Sequence, residues 1–213
     1  MKRLFFIFLL SFFIFCFTFS ETINEVSLPK EIKYSGKLRD SITFTDSLGV
    51  HILITSELET DRNNNDMGSS FLFAYDYLRK GNNSSYKLNW KLEDGEKDCP
   101  LDYFSKFTDT PSITDLDKNG IKEVTMVYTK TCTGDISAQE YKVIMRENQN
   151  KYGLRGTTFD PISKGEPGEN PCCAVENAYN PLVDDGKYQN ENDFKKAPKE
   201  FLDYAKKLWI KYR

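Results

Sequence analysis

A weak internal repeat constrains the fold of this 213-residue chain more than any other feature. The segment SITFTDSLGVHILITSE, which starts at Ser41, matches SITDLDKNGIKEVTMVYT, which starts at Ser112. Each copy combines a short strand-like run, a turn containing aspartate and glycine, and a longer apolar run. A further pair of strand-like runs follows each copy, joined by an asparagine-rich turn. The repeat therefore predicts two units of four strands each.

The connections between these runs are too short for crossover helices, which parallel strands would need. The predicted fold class is therefore mainly β, with two antiparallel four-stranded meanders and one C-terminal amphipathic helix. The two meanders could pack face to face as a sandwich or side by side like propeller blades. The strand pattern does not decide between these arrangements.

The end of the chain changes from strand to helix periodicity. Pro198 suits the first turn of a helix, where its missing N–H would be unpaired in any case. An apolar stripe at helical spacing follows it, made of Phe201, Ala205, Leu208 and Tyr212 with Leu202 and Trp209 beside them. This pattern predicts a helix over about 198–212 that covers a sheet face or a sheet edge, with a partner-binding helix as the alternative.

The N-terminus has the pattern of a secretory signal peptide. Lys2 and Arg3 precede an apolar run over 4–17, and small residues follow it. The run is shorter than the roughly 20 residues that a membrane-spanning helix needs. We therefore expect a signal peptide over 1–20 and a single β-rich domain over 21–213, exported to the periplasm or cell surface with no transmembrane helix in the mature chain. The bulky residues before Cys16 argue against a lipid anchor there.

Cysteine usage agrees with export. Four cysteines follow the expected signal peptide, and an even number in an exported protein is typical of disulfides. Cys99 and Cys132 each lie in a turn-like context at the end of a strand-like run, in KDCPLD and TKTCTGD, and we predict a bond between them. Cys172 and Cys173 lie in a Pro- and Gly-rich segment. The alternatives for them are a structural role, free thiols or a redox-active bond.

The turn of the second repeat copy, TDLDKNGIKE over 114–123, has the pattern of a calcium loop. Calcium prefers oxygen ligands, and alternating acidic side chains around a glycine point their oxygens toward one centre. The predicted ligands are the side chains of Asp115, Asp117, Asn119 and Glu123 and the backbone carbonyl of Ile121. A strand follows the loop, and Met126 stands where an EF-hand needs its bidentate glutamate, so an EF-hand is excluded.

The loop instead resembles the integrin-type calcium hairpin, also called FG-GAP-like, of exported β-repeat proteins. The alternative is a plain Asp/Asn-Gly turn whose solvated carboxylates are offset by Lys118 and Lys122. The first repeat copy keeps only Asp46 of the acids and is expected to be free of metal.

Motifs for enzyme chemistry are scarce. His51 is the one histidine in the sequence, which argues against a histidine-rich zinc site and a serine-histidine triad. No phosphate loop, nucleophile elbow or dinucleotide fingerprint occurs. A carboxylate pair, as in glycosidases, remains the enzymatic alternative. The net charge of −3 argues against nucleic acid as the main partner.

Several segments together resemble a family of small exported Gram-negative proteins catalogued as surface polysaccharide biosynthesis proteins. These are KDCPLD, ITDLDKNGIKEV, TCTGDIS, YKVIMREN, KYGLRG and DFKKAPKEFLDYAKKLW, within roughly residues 28 to 210. The resemblance implies a cell-envelope protein linked to surface glycan, without assigned catalytic residues. The expected partners are surface glycan or envelope proteins. We therefore expect a noncatalytic, calcium-stabilised binding or scaffolding module.

Overall fold

A computed structural model describes residues 28–81, 84–135, 137–158 and 186–212. The first sheet contains four strands in chain order, β1 (Lys37–Asp46), β2 (Gly49–Thr60), β3 (Gly68–Arg79) and β4 (Lys87–Cys99). The second sheet contains β5 (Asp102–Phe107), β6 (Ser112–Thr114), β7 (Glu123–Thr133), β8 (Glu140–Glu147) and β9 (Asn150–Thr157). The predicted signal peptide, Cys172 and Cys173 lie outside the described residues.

The two sheets confirm the predicted fold class of antiparallel meanders, each built around one copy of the repeat. In the second sheet, β5 and β6 both pair with β7, with β5 along its C-terminal half and β6 along its first residues. The first strand of this unit is therefore split in two. Sequence reasoning missed β5, because its run DYFSKF is short and precedes the repeat copy.

The two sheets pack face to face. The fold is therefore a sandwich and not a pair of propeller blades. Leu53, Leu72 and Trp90 of the first sheet share one buried cluster with residues of the second. The residues that they meet across the sandwich are Val124, Met126, Tyr128 and Ile144. Both repeat copies therefore contribute the longer strand of their hairpin to a common core.

The outer face of the second sheet is covered by helix α1 (Lys199–Tyr212), which confirms the predicted helix and its sheet-covering role. Phe201, Ala205 and Trp209 are its buried residues. The Trp209 ring lies 4.4 Å from the Tyr141 ring, and its Nε1 donates to the Gly186 carbonyl at 2.7 Å. No helix in the described ranges is long and apolar enough to cross a membrane.

The outer face of the first sheet is covered by the segment before β1. Ile32 is buried there against Ile52, Ile54 and Tyr75. The hydroxyl of Tyr77 donates to the Lys33 carbonyl at 2.5 Å. Each sheet therefore has one face in the shared core and the other face covered by a terminal part of the domain.

The predicted disulfide between Cys99 and Cys132 is present, with an S–S distance of 1.99 Å. Cys99 is the last residue of β4, and Cys132 lies near the end of β7. The bond therefore joins the two sheets at one corner of the sandwich.

Replacing Cys99 and Cys132 together with alanine is expected to lower the free energy of unfolding by about 3 to 4 kcal/mol. The bond closes a loop with a sequence separation of 33, and opening it returns conformational entropy to the unfolded chain. Urea unfolding of the two proteins measures the difference. A Cys172→Ala, Cys173→Ala variant is the control with the same number of cysteines replaced, and identical midpoints for all three proteins would contradict the expectation.

Candidate metal centre

The acidic loop of residues 115–122 joins β6 to β7 at one end of the sandwich, where it contacts the turn between β1 and β2. The Ser47 N–H donates to the Gly120 carbonyl at 2.8 Å. The Lys122 N–H donates to Asp46 Oδ2 at 3.1 Å. The equivalent turns of the two repeat copies therefore support each other directly.

Three predicted ligands of the loop come together. One carboxylate oxygen from each of Asp115, Asp117 and Glu123 lies within 4.8 Å of the other two. The loop curls because Lys118 and Gly120 both adopt positive φ, at 60° and 83°. At Gly120 this conformation costs little, because glycine has no Cβ.

Glu123 is the first residue of β7, and its side chain is fully buried. Its Oε2 accepts hydrogen bonds from Thr114 Oγ1 at 2.8 Å and from the Leu116 N–H at 3.0 Å. Its Oε1 is buried without a hydrogen-bond partner in the described part of the chain. Burial raises the pKa of Glu123, and the charge of Asp117 adds to that rise. A buried carboxylate oxygen without a partner is unfavourable, and a cation would satisfy it.

A fourth acid, Glu147, lies beside this group and was missed by sequence reasoning. It is the last residue of β8, is buried, and pairs directly with Glu123 in the register of β7 and β8. Like charges directly opposite each other destabilise a sheet. The sequence shows a glutamate at the end of a strand-like run, but only the register places it beside Glu123.

Asn119 links the acids through hydrogen bonds. Its Nδ2 donates to Asp117 Oδ2 at 3.0 Å and to Glu147 Oε1 at 2.7 Å. Its Oδ1 accepts from the Ile121 N–H at 2.7 Å. Asn119 thus reduces the repulsion between two carboxylates, while the ligand roles of its oxygen and of the Ile121 carbonyl stay predictions.

The alternative of a plain solvated turn relied on the two lysines of the loop. Among the described residues, neither Lys118 nor Lys122 forms an ion pair with the loop acids or with Glu147. These two lysines therefore do not supply the offsetting charge on which the alternative of a plain turn relied.

His51 lies in a second buried polar group, next to the acidic loop. Its Nδ1 is 2.9 Å from Asp76 Oδ1, and its Nε2 is 3.1 Å from Asp46 Oδ1. Both ring nitrogens face carboxylates, an arrangement that suits the doubly protonated imidazolium. Burial by itself lowers the pKa of His51, but the hydrogen bonds and charges of Asp76 and Asp46 outweigh it, so the pKa is raised. Asp46 therefore links this group to Lys122 of the loop.

A carboxylate pair in a cavity was the enzymatic alternative. One cavity of about 500 Å³ is lined by Glu57 and Glu59, and none of the described residues that line it is aromatic. Glu57 Oε1 accepts a hydrogen bond from the Phe107 N–H at 2.9 Å, so this carboxylate already supports β5. Within the described part of the chain, this cavity therefore offers a sugar ring no aromatic side chain to stack on.

A scan against protein-family models gave no match, and searches of curated proteins and of solved structures gave no significant match.

Proposed function

We propose that this protein is a noncatalytic, exported cell-envelope module, stabilised by calcium, that binds or scaffolds surface polysaccharide. The observation that carries the calcium part is the buried, unpartnered Oε1 of Glu123, grouped with Asp115 and Asp117. The export and envelope parts are supported by the N-terminal sequence pattern and by the resemblance of several segments to surface polysaccharide biosynthesis proteins.

Calcium is the ion that this ligand set suits best. The grouped side chains offer carboxylate oxygens and no nitrogen or sulfur, which favours a hard cation. Calcium accepts irregular sets of six to eight oxygens, whereas magnesium demands a nearly ideal octahedron. Asp115 is exposed, so water can complete the coordination on that side. An ion bound there would hold the β6–β7 hairpin next to Glu147, at the end of β8.

The polysaccharide part is tested by the surface glycan profile of a deletion strain. We expect loss of the gene to change the amount or chain length of surface polysaccharide, seen by gel electrophoresis of extracted glycan, and the wild-type gene to restore it. A gene with Asp115→Ala and Asp117→Ala is expected to fail to restore the profile. The control is Asp61→Asn, an exposed acid in another loop.

An unchanged glycan profile in the deletion strain would contradict the polysaccharide role. Full restoration by the Asp115→Ala, Asp117→Ala variant would instead separate the acidic loop from that role. Immunoblots of each strain show whether the variant protein accumulates, so that loss of protein is distinguished from loss of function.

A further inference from the structure

Four cationic side chains lie together on the face of β8 and β9 that points toward the first sheet. They are Lys142 and Arg146 on β8 and Lys151 and Arg155 on β9, and we call them the basic quartet. In the strand register, Lys142 pairs with Arg155 and Arg146 pairs with Lys151. Both pairs place like charges directly opposite each other, which destabilises a sheet unless counter-charge is present.

Acids of the protein neutralise half of the quartet. Lys142 Nζ lies 2.6 Å from Asp94 Oδ2, and Arg155 Nη1 lies 2.7 Å from Asp193 Oδ2. In the ranges that the structure describes, Arg146 and Lys151 have no ion pair. One of the two cross-strand rungs is thus neutralised, and the other carries two positive charges without a counter-charge.

Arg146 has fixed contacts, but not all of its hydrogen-bond donors have an acceptor. Its guanidinium lies over the Trp90 ring, 5.4 Å from the centroid, and donates to the carbonyls of Gln149 and Lys91 at 3.3 and 3.4 Å. Its Nε is buried and has no acceptor among the described residues. Burial lowers the pKa of Arg146, and partial burial together with the charge of Arg146 lowers the pKa of Lys151. These environments disfavour the two charges as long as no anion joins them.

Gly153 lies between the two rungs, opposite Ile144. A Cβ at this position would lie 2.7 Å from Ile144 Cδ1 and 3.1 Å from Arg155 Nη2. The glycine therefore leaves room for the Ile144 side chain and the Arg155 guanidinium to lie close to β9.

We propose that the basic quartet binds carboxylate groups of an acidic polysaccharide, with Arg146 and Lys151 as the anion-binding pair. The choice of a glycan rests on the proposed function, whereas the choice of an anion rests on the quartet itself. The free positive charge is confined to one rung, and the neighbouring rung carries the acids Asp94 and Asp193. This arrangement suits single carboxylates spaced along a sugar chain better than the dense phosphates of a nucleic acid.

The test is calorimetric titration of the protein with oligogalacturonate at low salt, alongside the same oligosaccharide as its methyl ester. We expect binding of the free acid only. Replacing Lys151 with glutamine should weaken binding roughly tenfold, as expected for loss of one charge-assisted hydrogen bond. The control Lys207→Gln removes an exposed positive charge from α1 and should leave the affinity unchanged.

Equal affinities of Lys151→Gln and Lys207→Gln would overturn the site, as would equal binding of the free acid and its ester. The same titration is made with vesicles of anionic phospholipid. If the protein binds them more tightly than it binds the oligosaccharide, and Lys151→Gln abolishes that binding, the glycan is not the ligand. If both glycan forms bind but Lys151 has no effect, the quartet proposal fails while the polysaccharide function stands. If the deletion strain has a changed glycan profile but neither oligosaccharide binds, the quartet proposal likewise fails while the polysaccharide function stands.

Discussion

Removal of calcium is expected to lower the thermal midpoint of the protein by roughly 5 to 10 °C, because calcium at a hundredfold excess over its dissociation constant contributes about 2.7 kcal/mol. The physical reason is the acidic group at the end of the sandwich. Without a cation, the buried carboxylates of Glu123 and Glu147 oppose each other across β7 and β8, and Glu123 Oε1 has no partner in the described chain. Thermal melts in calcium and in chelator measure the effect.

The calcium effect is also expected to depend on pH. The pKa of Glu123 is raised above its ordinary value of 4.5, so the protonated carboxyl favours the folded state. In chelator, this contribution is fully present below pH 4.5 and is lost as the pH rises through the folded-state pKa. Calcium binds the ionised form, so the difference between the two melts should be small near pH 4 and larger at neutral pH.

Variants of the loop separate a bound ion from a general salt effect. Asp115→Ala with Asp117→Ala should abolish the difference between calcium and chelator, whereas Asp61→Asn should keep it. Glu123→Gln removes the buried charge but keeps a side chain of the same shape, so it should melt higher than the wild type in chelator at neutral pH and respond weakly to calcium. Equal wild-type midpoints in millimolar calcium and in chelator would rule out the calcium centre.

Replacing Asp76 with alanine is expected to lower the free energy of unfolding by about 3 to 5 kcal/mol, as is usual when one partner of a buried ion pair is removed. Asp76 is buried next to His51, and its Oδ2 also accepts a hydrogen bond from Asn89 Nδ2 at 2.8 Å. The substitution would leave the His51 imidazolium with only Asp46 as a partner. Urea unfolding at pH 6 measures the loss.

The wild type should show a pH dependence of stability that is weaker in this variant. Because the pKa of His51 is raised above 6.5 in the folded protein, its contribution to stability is fully present below pH 6.5 and is lost as the pH rises through the folded-state pKa. The control is Glu93→Ala, which removes an exposed ion pair with Lys91 and should cost less than about 1 kcal/mol. An Asp76→Ala loss as small as that of the control, with an unchanged pH profile, would refute the buried imidazolium.

Features that depend on residues close together along the chain could be predicted from the sequence alone. The strand runs, the two hairpin turns and the helix after Pro198 follow from the local periodicity of apolar residues and from turn chemistry. The grouping of Asp115, Asp117 and Glu123 has the same origin, since all three belong to one short loop and the residue that follows it. The bond between Cys99 and Cys132 was also predictable, because each cysteine ends a strand-like run.

Features that depend on register and sheet packing were decided only by the tertiary structure. The strand pattern leaves the contact between sheets open, and their face-to-face packing is what joins the two halves of the core. Glu147 meets Glu123 only through the pairing of β8 with β7. The diagonal contact of His51 with Asp76 and the rungs of the basic quartet also arise from the register of neighbouring strands. A shift of one residue in the pairing would turn each of these side chains to the opposite face, because successive side chains of a strand point to opposite sides of the sheet.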